Sequence, residues 1–351
     1  MRYPSRRDLL RSAAALPLLY AAPLRAAPPP ATAITPDLIA AAKKEGQVVW
    51  YTSADLQLAE RIGKSFEQVY PGVAVRVERA GAERIFTRVG QEYAAGIRKV
   101  DTSSTGDPTM FQMWKSQGLL APYLPEELAK NYPSQDRDGD ATYAVSRSTL
   151  CIIAYNTTLV KPGDAPKSFA DLLDPKWAGR LVKAHPSYSG TIITSTYQMV
   201  RVIGWPYFEK LAKQKVMQVQ SATDTPKKVV LGERPVMIDG NEYNVLSAKE
   251  SGKPIEPVYA PEGSPVILNP SAIFTGAPHP NAARLFHSWL FSPEAQQIFV
   301  EVGGMRSLHR AIKDPPGRRP LADIKLMNVE PDAMLGYVDD IKRRYSEIFG
   351  V

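Results

Sequence analysis

Gln47-Val48-Val49-Trp50-Tyr51-Thr52-Ser53-Ala54 is the stretch that fixes the architecture. After Gln47, Val48 to Tyr51 is a short run of β-branched and aromatic side chains, the signature of a strand. The run ends in two hydroxyls, after which Ala59, Ile62, Phe66 and Val69 recur at helical spacing until Pro71-Gly72 stops them. Upstream, Thr35-Pro36 supplies a capping hydroxyl and a proline at the first helical position, and Gly46 closes that helix. Downstream, Val73, Val75 and Val77 alternate as in a strand, and Ile85, Phe86, Val89 and Tyr93 form an amphipathic face. A strand near Lys99 to Thr102 and a helix around Thr109 to Gln117 follow. Strand and helix alternate, which predicts a parallel sheet covered by helices on both faces.

Pro133 to Asp140 is polar and acidic and interrupts the alternation. Asp136, Asp138 and Asp140 imitate the start of a calcium loop, but Ala141 stands where the template needs Gly and Arg147 where it needs Glu. A solvated turn is expected instead. Thr149 to Tyr155 is then a strongly apolar strand, followed by strands near 181–184, 216–219, 236–238, 255–259 and 266–274. Helices are expected at Thr191 to Val202, Asn241 to Glu250 and Ala282 to Val300, the last with a step at Ser292-Pro293. With 351 residues the chain exceeds what one hydrophobic core usually fills, so the pattern implies two α/β lobes.

Composition excludes several classes. With 44% hydrophobic residues and one cysteine, the chain is neither disordered nor a disulfide-stapled miniprotein. The formal charge of +7 invites a nucleic-acid partner, but residues 1–33 hold five arginines and one acid. Without them 38 basic and 35 acidic residues remain, a balance of +3 with no basic stripe. That leading segment has the layout of an export signal: a basic start, an apolar run from Ala13 to Leu24 too short to span a bilayer, and cleavage expected near Ala27 to Ala33. Ser5-Arg6-Arg7-Asp8-Leu9-Leu10-Arg11 resembles a twin-arginine signal. A periplasmic location follows. Cys151 lies in an apolar run, where a small buried hydrophobe is expected.

Polar chemistry gathers where strands end. Thr52-Ser53 follows the first strand, Ser103-Ser104 the third, Ser189-Gly190-Thr191 precedes a helix in the second half, and Asn241 with Tyr243 follows another strand. In open α/β sheets ligands bind beyond the carboxyl ends of strands. Free N–H groups at a helix start favour an anion. Any one such loop is an ordinary cap or turn; their recurrence in both halves points to a polar pocket. Catalytic patterns are missing. The four histidines, His185, His279, His287 and His309, show no metal-ligand spacing, and no G-x-S-x-G, Walker A or G-x-G-x-x-G pattern occurs. No catalytic residue, resident metal or cofactor is expected, and no nucleic-acid partner.

Val48-Val49-Trp50-Tyr51-Thr52-Ser53, Gly118-Leu119-Leu120-Ala121-Pro122-Tyr123, Ile153-Ala154-Tyr155-Asn156-Thr157 and Ser168-Phe169-Ala170-Asp171-Leu172-Leu173-Asp174-Pro175-Lys176-Trp177 occur in one succession with Ser292-Pro293-Glu294-Ala295-Gln296-Gln297. In this the chain resembles the extracellular solute-binding proteins of ABC importers, family 1, type II, ferric-type subgroup. The resemblance implies a two-lobe fold with the ligand in a cleft, lobe one over 34–148 and 266–351 and lobe two over 149–265. It also implies a monomer that delivers a small-molecule solute to an inner-membrane ABC permease. Iron-binding members use adjacent tyrosines, whereas this chain has only Tyr243 in Asn241-Glu242-Tyr243-Asn244. The expected ligand is therefore a polar, anionic organic solute such as a phosphate ester, phosphonate or carboxylate. Thr52, Ser53, Ser103, Ser104, Ser189, Gly190, Thr191, Asn241 and Tyr243 would line its site, with Arg79 and Arg84 as lesser charged contacts. Ferric ion with a carried anion is the alternative, and an enzyme on the same scaffold a more distant one.

Overall fold

The computed structural model describes residues 28–327 and 331–351; the twin-arginine-like segment and the apolar run behind it lie outside them. The strands are β1 (Gln47–Thr52), β2 (Ala74–Arg79), β3 (Thr102–Ser104), β4 (Leu120–Ala121), β5 (Ala144–Asn156), β6 (Leu181–Ala184), β7 (Met217–Val219), β8 (Val236–Asn241), β9 (Ile255–Val258), β10 (Ser264–Phe274) and β11 (Leu326–Met327). Their principal order is β2-β1-β3-β10-β5-β8-β6-β7. The parallel trio β2-β1-β3 builds one lobe and the parallel trio β8-β6-β7 the other. Between them β5 and β10 run antiparallel, each paired with strands of both lobes or with the other crossing strand.

Both faces of each half-sheet are covered, which is why the strands are apolar runs instead of alternating ones. In β1, Val48 and Trp50 enter a core with Phe66, Phe286 and Trp289, while Tyr51 faces Ile85, Val89, Phe111 and Trp114 on the other side. The second lobe repeats the scheme: Ile153, Leu181 and Val236 join Trp177 and Phe208, whereas Ile152, Val182 and Met237 face the opposite layer. Each such large side chain contributes about 1.5–3 kcal/mol by leaving water.

Local signals hold where capping chemistry is explicit. Thr35 Oγ1 accepts from Leu38 N at 3.2 Å, and Gly46 ends the helix at φ 76°. The stretch from Ala282 to Val300 is two helices, Pro280–Leu290 and Pro293–Glu301, with Ser292 capping the second. Other expectations need correction. The strand expected at Thr149 begins at Ala144, because Ser146, Arg147 and Ser148 are buried between β10 and neighbouring segments despite their polarity. The acidic turn is not simply solvated: Lys115 takes Asp138 and Asp140 at 2.5 and 2.9 Å, and Asp136 is buried, which raises its carboxyl to about 6.

The helix Val338–Phe349 packs on helices Gly190–Ile203 and Trp205–Ala212, and Tyr345 enters the second-lobe core. The C-terminal segment expected in lobe one thus returns to lobe two. Cys151 is buried and free, and burial pushes its thiol up. No described helix is long and apolar enough to cross a membrane.

Candidate functional site

The lobes meet at the start of helix Gly190–Ile203. Ser189 caps it, its Oγ accepting from Ile192 N at 3.4 Å, and the first-turn N–H groups of Gly190 and Thr191 face outward from the helix end. Lobe one presses three positions against this turn. A Cβ on Gly190 would lie 2.8 Å from both Ala82 Cβ and Asp107 Cβ, one on Gly106 would lie 2.8 Å from Thr191 Oγ1, and one on Gly81 would lie 3.1 Å from Tyr188 O. Glycines on both sides of the seam therefore allow backbone-to-backbone approach. Lys342, on the C-terminal helix, reaches across to Glu83 at 2.8 Å.

Five of the nine sequence-derived positions come together here. Ser53, Ser189, Gly190, Thr191 and Asn241 line one cavity with Gly81, Ala82, Ser221, Ala222 and Thr223. Its volume is about 10 Å³, on the order of one water. The lobes stand closed. Asn241 Oδ1 is buried without a hydrogen-bond partner. Arg79, from the end of β2, spans the seam: Nη2 donates to Ser221 Oγ at 3.1 Å and Thr223 Oγ1 at 3.2 Å, and Nε to Ala54 O at 3.3 Å. Arg84 Nη2 donates to Gln220 Oε1 at 2.9 Å.

The remaining four positions lie elsewhere. Thr52, Ser103 and Ser104 are fully buried and do not line the cavity. Ser104 Oγ accepts from Trp50 Nε1 at 3.1 Å and from Arg147 Nη1 and Nη2 at 3.3 Å, and lies 3.2 Å from Thr52 Oγ1. Ser103 Oγ has no partner. Tyr243 lines a neighbouring depression with Asp55, Arg61 and Asn244, its hydroxyl accepting from Asp55 N at 3.2 Å. Burial first, and then the Asp55 charge, push this phenol up to about 12.

Sequence reasoning missed Arg147, Ser221 and Thr223. Arg147 is 1% exposed, and burial pulls its guanidinium down to about 10. Among the described residues neither Arg147 nor Arg79 is paired with a carboxylate. A signal for Arg147 existed, a charged residue flanked by hydroxyls in Ser146-Arg147-Ser148-Thr149, but polar runs more often mark loops. Asp107, at the seam, caps helix Pro108–Ser116 through Thr109; it is wholly buried, and burial raises its carboxyl to about 6. His287 is buried too, bonded to Ser271 and held neutral by burial, with its pKa lowered to about 3. Among the described residues no three His, Cys, Asp or Glu side chains converge to hold a metal.

Known proteins share this fold. Residues 48–304 match the family described as bacterial extracellular solute-binding protein. A probable ABC transporter periplasmic-binding protein, y4fP of Sinorhizobium fredii, is 22% identical over 64% of this chain and 64% of the relative. The periplasmic binding protein AfuA of Actinobacillus pleuropneumoniae, solved with fructose-6-phosphate bound, superposes with a TM-score of 0.80 at 23% identity, covering 87% of this chain and 99% of AfuA. Iron-bound HitA of Pseudomonas aeruginosa gives 0.73 at 22% identity, covering 86% and 99%. At those identities the structures speak for the fold alone, and they are similar folds with different cargoes. The match over most of the chain, the two lobes joined by crossing strands and the polar seam between them lead to one assignment: this chain belongs to the bacterial extracellular solute-binding proteins and has the type II periplasmic-binding-protein fold.

Proposed function

We propose that this protein is the periplasmic receptor of an ABC importer and that it carries a small organic anion to the permease. The observation that supports the anion is Arg79. This guanidinium lacks a carboxylate, reaches over the seam and meets hydroxyls that line the same cavity as the first turn of helix Gly190–Ile203. Helix N–H groups, Ser53, Thr191, Ser221 and Thr223 supply further donors, and charge-assisted bonds to them are the strong kind. Because the closed seam has room for about one water, the solute enters with the lobes apart, and Arg79 exchanges its serine and threonine partners for it. Contacts that form only with both lobes engaged favour the closed state.

Ferric ion suits this site less well. Tyr243 is a single phenol, and its pKa near 12 makes the phenolate costly at neutral pH. Hard ferric ion favours several anionic oxygens.

Mass spectrometry of ligand released from natively purified, denatured protein identifies the solute class. Calorimetry then tests the site. Gly190→Val, which drives a branched side chain into Ala82 and Asp107, weakens binding at least tenfold. Ser189→Ala removes a cap and lowers Tm with a smaller effect on affinity. Unchanged affinity in Gly190→Val sinks the proposed seat, and a tyrosinate-to-iron absorption band on adding ferric citrate sinks the organic-anion reading.

A further inference from the structure

We infer that a second cavity, lined by Asp136 and built on the two crossing strands, is a small-molecule site for a primary ammonium ion on a short apolar body. It goes beyond the receptor reading and does not rest on it, since no residue is common to this cavity and the one at the seam.

The first observation is Asp136 itself. It is 9% exposed, and its Oδ2 is buried without a hydrogen-bond partner. Its neighbours in the sequence show what the fold provides when a carboxylate is structural. Lys115 takes Asp138 at 2.5 Å and Asp140 at 2.9 Å, and Thr142 Oγ1 lies 2.6 and 3.1 Å from the same two groups. Arg137 also lines the cavity, but burial alone shifts the Asp136 carboxyl, so no neighbouring cation neutralises it. A buried carboxylate in this state costs free energy until a partner meets it.

The second observation is the space beside it. The cavity measures about 350 Å³, against about 10 Å³ at the seam, and small-molecule pockets begin at roughly 300 Å³. Pro108, Tyr143, Val145, Leu268 and Pro270 supply its apolar walls. Val145 and Pro270 are paired at the register slip of β5 and β10, where proline gives no N–H to the ladder. These walls select the occupant. A lone buried carboxylate calls for one positive charge. An ammonium supplies it with three N–H donors, and a short stem packs on the proline, valine and leucine side chains. A metal ion does not suit the site: Asp138 is engaged by Lys115, and among the described residues no three His, Cys, Asp or Glu side chains converge.

The experiment titrates isopentylammonium chloride, isopentanol and calcium chloride into the mature protein at pH 7.5, followed by NMR, for wild type, Asp136→Asn and Leu268→Trp. Wild type should bind the ammonium about tenfold or more tightly than the alcohol, the worth of a hydrogen bond to a charged group, and calcium should not displace it. Asp136→Asn keeps the shape and removes the charge, so ammonium affinity should fall to that of the alcohol. Without amine, the Tm of this variant should stay or rise, because an unpartnered carboxylate has gone. Leu268→Trp fills the cavity and should abolish binding of both while leaving Asp136 in place. Equal affinity of wild type for ammonium and alcohol, or displacement by calcium, overturns the inference. So does ammonium affinity that persists in Asp136→Asn or in Leu268→Trp. A lowered Tm in Asp136→Asn makes the carboxyl part of the fold and overturns it too.

Discussion

Lys183 and Arg147 are both buried away from water, yet one has its counter-ion and the other does not. Lys183 lies in β6 with Nζ 2.6 Å from Asp239 Oδ2, and Ser195 donates to the same oxygen at 3.1 Å. This pair ties β6 to β8, the two strands whose ends lead to Ser189 and Asn241, so it holds the lobe-two lip of the cleft in place. Arg147 sits on β5 among hydroxyls. A paired buried charge belongs to the fold. The other is held by hydroxyls alone, with Nε unbonded.

The comparison can be broken at the Lys183 end. Lys183→Met strands Asp239 in the core and should destabilise the protein by about 3–5 kcal/mol. The double variant Lys183→Met with Asp239→Leu should recover most of that in urea unfolding. Near-wild-type stability of the single variant would make the pair irrelevant to the lip.

Asp107 sharpens it from the acidic side. Its carboxyl is raised to about 6, by burial first, so the folded state holds a proton that the unfolded chain has released between pH ~4 and 6. Its contribution is fully present below the unfolded pKa and is lost as pH rises through the folded one. Asp107→Asn keeps a capping residue and should flatten that loss, so the variant gains stability on the order of 1–3 kcal/mol at pH 7.5 and little at pH 4. Tm measured at both pH values checks the sign.

The smallest effect separates two adjacent serines. Ser104→Ala removes the acceptor shared by Trp50 and Arg147 and should cost about 1–2 kcal/mol. Ser103→Ala removes a hydroxyl that has no partner and should leave Tm unchanged or slightly raised. Equal losses in chemical denaturation would erase the distinction between the bonded hydroxyl and the unbonded one.

What the sequence discloses follows from the physics of its signals. Val48 to Tyr51 announces a strand because both faces are buried, and Thr35, Gly46 and Ser292 mark helix ends because cap chemistry is local. Ser189, Gly190, Thr191, Ser53 and Asn241 could be proposed together because each sits just past a legible strand, and they do share a cavity. Arg147 stayed hidden since a polar run inside a buried strand has no periodicity to betray it. Ser221 and Thr223 stayed hidden because the short strand before them, Met217–Val219, is only partly buried. The C-terminal helix, with Asp339, Asp340, Arg343 and Arg344 outweighing its apolar stripe, gives no hint that Tyr345 ends in the other lobe's core. That contact is decided by packing across the whole chain.

The crossing pair has a mechanical consequence. Along β5 and β10 the register slips between Asn269 and Pro270, and proline has no N–H to contribute a rung. The ribbon connecting the lobes is therefore softest beside Asn269, the residue opposite Arg147. Bending there changes the angle between the lobes, and a small change of angle at the crossing strands opens the seam where Gly81 approaches Tyr188. Such a lever turns a slight flexing of two strands into a large change in the width of the seam.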